Sequence, residues 1–407
     1  DHANTDIQQA KALGLDAFAL NLQATSGDWL TSAVQSLFQA ANQYNFKLFF
    51  SFDMDAFQDP SQFIPFFQQY VNNSAYYHYQ GKPFTSTFYG GNLNFGESSP
   101  NAGWQIHYRD ALLADGIDTY FVPSFCDNSN GPNNFFENYP VVDGVMGWDS
   151  AWVPSSAGKT SVSDSIDKQY IAGARAANKT YMMPISSVQF KHIDSNQNWY
   201  LRGELALAER MPQILADGPD FVEILTWNDS GESHYIGNAW PEAIAGTPIP
   251  AYTDGYDHSG WQHLIPPFIQ AVKCGVTDTS DMLPLNGLAV TGAFWYRPLL
   301  GSATCPDDSL GKPSGWQNTE DSVLVALFSA EAGNTVNVYS NGALIGSYKT
   351  VQGLNKWDVG GIRVGTAPKV TVLSADGNNT LTTQSGSVAV QADTNGTCNF
   401  NYQVLGL

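Results

Sequence analysis

Up to about Cys274 the chain alternates short, apolar, β-rich runs with amphipathic stretches of helical period. The runs are Asp16–Leu22, Lys47–Asp53, Pro83–Tyr89, Asp118–Phe125, Gly144–Trp148, Thr180–Ile185 and Phe221–Trp227. The helical stretches between them include Thr5–Leu13, Trp29–Gln43, Trp104–Asp115, Ile166–Asn178 and Glu204–Ala216. Strands alternating with helices predict βα units around a parallel sheet. Several runs are apolar along their length rather than at alternate positions, which is the pattern of strands buried on both faces. The expectation is a (β/α)8 TIM barrel over residues 1–274. Seven strands can be counted where a closed barrel has eight, and the chain opens on a helical stretch, so the first strand is expected upstream of Asp1. An open doubly wound sheet of seven strands is the alternative.

After Cys274 the helical period stops. Residues 275–287 read as a linker. Short alternating strands follow at Leu288–Trp295, Ser322–Ser329, Thr335–Ser340, Ala343–Lys349, Gly360–Val364, Lys369–Ser374, Val388–Asp393 and Phe400–Leu405. Turns such as Ser340-Asn341-Gly342 and Asp376-Gly377-Asn378 separate several of them, which predicts an antiparallel β-sandwich over residues 288–407.

Composition narrows the partners. With 18 basic and 38 acidic residues the chain carries a formal charge of −20, so it has no electrostatic footprint for nucleic acid or an anionic membrane. No apolar run reaches the roughly 18 residues of a spanning helix. Four cysteines stand at 126, 274, 305 and 398 without a C-x-x-C spacing, which disfavours a zinc site. Cys305 and Cys398 are the expected disulfide, and Cys126 is expected to be a buried free thiol. Sequons at Asn72, Asn178, Asn228, Asn378 and Asn395, together with scarce lysine, point to a secreted protein. A monomer without metal or cofactor is the expectation.

In a barrel the chemistry stands at the C-terminal ends of the strands. Here those ends carry carboxylates and aromatics: Phe50-Ser51-Phe52-Asp53-Met54-Asp55, Trp148-Asp149 and Trp227-Asn228-Asp229-Ser230-Gly231-Glu232-Ser233-His234. Glycoside hydrolysis needs a proton donor and a second carboxylate, and aromatic rings supply faces for sugar C–H groups. Asp229 and Glu232, three apart in one loop, are candidates for that pair, with Asp53 or Asp55 approaching from an early strand. Each also has a plainer reading: Asp53 or Asp55 as a helix cap, Asp149 as an acceptor for its own loop, and Trp148 and Trp227 as packing. The histidines are too scattered for a ligand set. The nucleophile elbow, the phosphate loop and the dinucleotide fingerprint are all absent from the sequence.

Several of these motifs together resemble fungal glycoside hydrolase family 71. The resemblance runs through Asp6-Ile7, Leu13-Gly14-Leu15-Asp16-Ala17-Phe18, Phe50-Ser51-Phe52-Asp53-Met54, Ser86-Thr87-Phe88-Tyr89-Gly90-Gly91, the Trp227–Ser233 segment, Trp295-Tyr296-Arg297-Pro298 and Gly315–Asp321. It implies an endo-acting α-1,3-glucanase, or mutanase, built on a (β/α)8 barrel with a C-terminal β domain and hydrolysing α-1,3-glucan with inversion. Carried over to this sequence, it implies Asp229, Glu232 and Asp53 as catalytic residues, with Asp53 favoured over Asp55. Glu232 is read as the general acid and Asp229 as the general base. Asp55, Tyr89, Asn94, Trp148, Asp149, Trp227, Asn228 and His234 are the expected substrate contacts, and Asn228 is expected to be unglycosylated. The strand with which family members begin, of the type A-H-x-M-V-G-N, is missing here. A non-catalytic carbohydrate-binding wall protein, or a barrel glycosidase for another polysaccharide, is the competing reading. The D-x-x-D-x-D-x-E strand end of a chitinase is not met at Phe52–Phe57, which has only D-x-D.

Overall fold

A computed structural model describes residues 1–407 as an α/β chain that divides into two compact units, interleaved along the sequence. One comprises Asp1–Ser150, Asp164–Pro184 and Pro219–Glu223; the other comprises Ala151–Ser163, Ile185–Gly218 and Ile224–Leu407.

The strands of the chain's first part are β1 (Ala17–Leu22), β2 (Lys47–Asp53), β3 (His78–Tyr79), β4 (Lys82–Phe88), β5 (Tyr120–Phe121), β6 (Gly144–Met146) and β7 (Thr180–Ser186). A hairpin of β8 (Gln189–Asp194) and β9 (Gln197–Leu201) precedes β10 (Phe221–Leu225). In the first unit, β1, β2, β4 and β5 pair in parallel in that order, and β3 adds antiparallel to β4. The Asp143 N–H donates to Phe121 O at 2.8 Å and the Met146 N–H to Pro123 O at 3.0 Å, which joins β5 to β6. Parallel pairing continues from β6 to β7, and β10 lies beside β7. The Phe221 ring of β10 meets Tyr79 at 4.9 Å and the Phe84 ring of β4 at 5.3 Å, although three strands separate β10 from β4. The sheet is therefore curled, with large aromatics meeting on its inner face.

Helices cover its outer side. In Asp28–Tyr44 the buried residues Leu30, Val34, Phe38 and Ala41 share one face, as the helical period requires. Phe38 packs on Tyr70, Tyr76 and Phe50 of β2. The helix ends on Asn45 in the left-handed region. The single helix expected over Trp104–Asp115 has a widened π turn at Gln105–Asp110 between α-helical Pro100–Trp104 and Ala111–Ala114. The neighbours Tyr108 and Arg109 are both buried there. Tyr108 pairs with Thr85 at 2.5 Å, while Arg109 donates to Val141 O and meets Asp143. A regular α turn separates adjacent side chains by about 100°; a widened turn lets both face inward.

The second unit carries the β8–β9 hairpin, the helices Ala206–Asp217 and Ile265–Lys273, and two antiparallel sheets. Its later strands are β11 (Val290–Tyr296), β12 (Ser322–Ser329), β13 (Thr335–Ser340), β14 (Ala343–Lys349), β15 (Gly353–Gly360), β16 (Lys369–Leu373), β17 (Thr380–Ser385) and β18 (Gln403–Gly406). They form sheets in the orders β15-β12-β11-β18 and β14-β13-β16-β17. Phe294, Tyr296, Val323, Val325 and Leu327 from the first sheet share one core with Val336, Val338, Val370 and Val372 from the second. Cys305 and Cys398 are disulfide-bonded, as expected, and Cys126 and Cys274 are free.

Some expected boundaries are corrected. The strand expected at Gly360–Val364 lies at Gly353–Gly360, because Gly353 (φ 85°) and Gly361 (φ 87°) break extended backbone on either side of it. A side chain at 353 would also meet Thr279 O at 2.0 Å. Val388–Asp393 forms no strand: Val390 bridges to Gly365 and Gln391 to Leu299, two partners on different segments. The hairpin β8–β9 and the strand Thr380–Ser385 were not expected.

Candidate active site

The segment after β10 folds back on the strand's end. The Thr226 N–H donates to His234 O at 2.7 Å and the Ile236 N–H to Thr226 O at 3.0 Å, so residues 227–233 project as a closed loop. Within it Ser230–Glu232 is a single tight turn capped by Asp229, whose Oδ1 accepts from the Glu232 N–H at 3.0 Å. The Tyr252 hydroxyl braces the turn by donating to Gly231 O at 2.8 Å. The cap turns both acids to one side: one oxygen of Asp229, one of Glu232 and a ring nitrogen of His234 fall within 4.8 Å of one another.

His234 is fully buried, with Nε2 at 3.2 Å from Asp229 Oδ2 and 3.6 Å from Glu232 Oε2, and its ring lies 5.4 Å from Trp152. Burial alone would raise the Asp229 carboxyl. The hydrogen bond and charge of His234, the Glu232 N–H and Lys191 outweigh it and hold Asp229 below the ordinary carboxylate range. Glu232 is gripped from the hairpin: Gln189 Nε2 donates to Oε2 at 2.6 Å and Lys191 Nζ stands 3.3 Å from Oε1. Asp229, Glu232 and His234 are a donor set that a cation could use. Here the oxygens of Glu232 are engaged by Lys191 and Gln189, and those of Asp229 by the Glu232 N–H and His234. The arrangement is that of two carboxylates held by protein partners.

Asp53, Asp55, Tyr89, Asn94, Trp148 and Asp149 lie in the first unit. Asp53 is buried at the end of β2; its Oδ2 accepts from Gln23 Nε2 at 2.9 Å and its Oδ1 from the Asp55 N–H at 2.9 Å. It therefore also caps its own turn, the plainer reading of this acid. Asp55 is exposed, and burial together with Asp53 and Asp127 raises its carboxyl. Tyr89 sits at φ 60° with its ring stacked on Phe88 at 4.1 Å. Burial, then Cys126, Asp149, Asp55 and Asp127, push its hydroxyl up to about 12. Trp148 meets Phe88 edge-on at 5.0 Å, and Asp149 is exposed in the following turn.

His234 is closed off from solvent and meets the two carboxylates. Asn94 lies exposed in its loop, where Oδ1 accepts from the Gly96 N–H at 3.1 Å, so its acceptor serves the loop. In the second unit Asn228 is exposed, and Trp227 is half-buried against Gly237, where a Cβ would come within 2.3 Å of the indole.

Sequence reasoning does not reach Gln189, Lys191 and Glu223, and it reaches Asp127 only as one of the polar residues of the strand end Pro123–Asn128. Asp127 accepts from the N–H groups of Gly90, Gly91 and Asn92 at 3.3, 2.9 and 3.2 Å, so it ties down the turn that follows Tyr89. Its signal was present in the Cys126-Asp127-Asn128 strand end. Glu223 shares a face of β10 with Phe221 by strand alternation, and burial pushes its carboxyl up to about 7. The folded state thus holds this proton more tightly than the unfolded chain. The stabilising contribution is complete below the ordinary glutamate pKa and is lost as pH rises through about 7. Glu223→Gln should therefore raise the unfolding temperature at pH 8 more than at pH 5. Equal shifts in thermal scans at both pH values would refute the burial of an ionisable carboxyl there.

A model of the family described as glycosyl hydrolase family 71 matches residues 1–407. A glucan endo-1,3-alpha-glucosidase of Schizosaccharomyces pombe is 33% identical over 399 residues, covering 97% of this chain and 88% of that protein. An ascus wall endo-1,3-alpha-glucanase of the same yeast is 32% identical, covering 87% and 80%. A mutanase of Penicillium rubens is 30% identical, covering 82% and 70%. Among solved structures, a GH99 endo-alpha-mannosidase from Bacteroides thetaiotaomicron aligns with a TM-score of 0.50 at 14% identity, over 68% of this chain and 86% of that one, a likeness of fold alone.

Proposed function

The chain belongs to glycosyl hydrolase family 71, and from that premise we propose that Asp229, Glu232 and Asp53 carry the cleavage of α-1,3-glucosidic bonds in α-1,3-glucan. The chain is a glycoside hydrolase. The observation that supports this placement of the chemistry is the turn in which one carboxylate, Asp229, is held ionised by a buried histidine while a second, Glu232, stands within 4.8 Å of it. Glu232 serves as the general acid that protonates the leaving oxygen. Asp229, kept charged at neutral pH, serves as the acceptor of a proton.

An inverting acid and base usually stand roughly 6.5–9.5 Å apart, with water between. One oxygen of Asp229 and one of Glu232 lie within 4.8 Å of each other, a distance between single oxygens and not between the two carboxyl groups. The family's third carboxylate, Asp53, orients the water or a sugar hydroxyl. Asp55, Tyr89, Asn94, Trp148, Asp149, Trp227, Asn228 and His234 are the proposed sugar contacts. The curled sheet of the first unit supports the reading of a (β/α)8 barrel over residues 1–274, and the shared core of the two antiparallel sheets supports a β-sandwich over 288–407. No helix is long and apolar enough to cross a membrane, and the disulfide supports secretion; glycosylation and a monomeric state belong to the same proposed reading.

Proton NMR of fresh products from α-1,3-glucan tests bond type and stereochemistry together. The expected first product carries the β-anomeric configuration, inverted from the α-linked substrate. A first product of α configuration would overturn inversion, and no soluble product at all would favour a binding protein.

A further inference from the structure

The β8–β9 hairpin is built as a clamp on the Asp229–Glu232 turn, and we propose that Lys191 and Gln189 are positioning residues that hold Glu232 for its part in the reaction. The proposal rests on the reading of Glu232 as the acid. Gln189 and Lys191 are two apart on one strand, so they share a face. Each supplies one donor to one oxygen of Glu232, at 2.6 and 3.3 Å. The side chains of Lys191 and Glu232 are only 18% and 20% exposed, so the pair interacts with little screening by water. Lys191 is itself confined: Trp199 lies directly opposite it in the hairpin register, and the ammonium sits 5.0 Å from the indole centroid.

The opposite face of the strand is anchored. His192, buried, pairs through Nδ1 with Asn198 Oδ1 at 2.8 Å and through Nε2 with Asp308 Oδ2 at 2.9 Å. That same Asp308 oxygen accepts from the Cys398 N–H at 2.6 Å, beside the Cys305–Cys398 disulfide. The Ser314 N–H donates to Asn198 O and the Tyr200 N–H to Ser314 O, which ties β9 to the same loop. The hairpin is thus fastened to the disulfide-closed segment on one side and presents its two donors to Glu232 on the other. The charged and titratable groups that face Glu232 are Lys191 from the hairpin, Asp229 and His234 from its own loop, and Tyr252 from the short helix Pro250–Thr253.

The test is kcat and KM on α-1,3-glucan for Lys191→Met, Lys191→Gln and Lys191→Arg, with folding checked by circular dichroism and unfolding temperature. Losing a held geometry slows the chemical step, so the two neutral variants should lower kcat at least about 10-fold while KM changes by less than about 2-fold. Lys191→Arg should recover most of kcat. A merely structural lysine would lower the unfolding temperature and leave kcat in place. Neutral variants with the wild-type kcat, or a loss of kcat that arginine does not recover, overturn the proposal. Glu232→Gln, run in parallel, separates the two levels. If it stays active, the site reading itself fails; if it is inactive while Lys191→Met keeps the wild-type kcat, only the positioning role falls.

Discussion

Glu232→Gln lowers kcat/KM on α-1,3-glucan by about 10²–10⁴-fold, the usual contribution of a general acid or base, and leaves the fold intact. The substitution keeps the shape and one acceptor oxygen for Gln189 or Lys191 but removes the transferable proton. Asp229→Asn has a comparable effect for a different reason. An amide oxygen still accepts from the Glu232 N–H and preserves the cap, but the negative charge beside His234 is lost. Both variants should match the wild type in circular dichroism and in unfolding temperature to within a few degrees, while release of reducing ends collapses. Near-normal hydrolysis by both, with the fold verified, would place the chemistry elsewhere. His234→Ala is the uninformative choice, since it opens a cavity at a fully buried position and confounds activity with stability.

The largest expected effect on stability comes from Cys305→Ser combined with Cys398→Ser. The bond closes a segment of 93 residues, and removing a native disulfide costs about 2–5 kcal/mol. The cost here extends beyond chain entropy. Cys398 is fully buried, and its N–H is one of the donors that hold Asp308, which in turn orients His192. Burial would raise the Asp308 carboxyl, but the N–H groups of Cys398 and Leu310 and the nearby His192 hold it below its ordinary range. The midpoint of guanidinium unfolding, followed by tryptophan fluorescence, should fall clearly in the double variant and in the wild type under reductant. Coincident midpoints would show that the loop is held by its packing and hydrogen bonds alone.

Much of the architecture could be read before any coordinates. The seven strands around the curled sheet stand where the apolar runs place them, because a strand buried on both faces has to be apolar along its length. In the second unit β12, β13 and β14 agree with the sequence to the residue: β12 is apolar and buried along its length, β13 alternates, and the turns between them carry glycine or asparagine. The hairpin β8–β9 escaped because Gln189, Lys191, His192, Asn198 and Gln197 read as a polar loop. The side chains of Gln189, Lys191 and His192 have partners 43, 41 and 116 residues away, which no local pattern reveals. The strand Gly353–Gly360 was displaced in the reading because residue composition alone does not say which glycine adopts a positive φ.

For the site, the two acids and their spacing were available from the chain alone: Asp229 and Glu232 are three apart in a short polar loop, and such a loop has few ways to close. Their setting was not. What holds the Asp229 carboxyl below its ordinary range is its surroundings, and those are set by a buried histidine, the Glu232 N–H and a lysine from a distant hairpin. Local sequence therefore determined which residue types stand together in the loop. Tertiary structure decided what surrounds each one, because electrostatic interaction falls with distance in space and not along the chain.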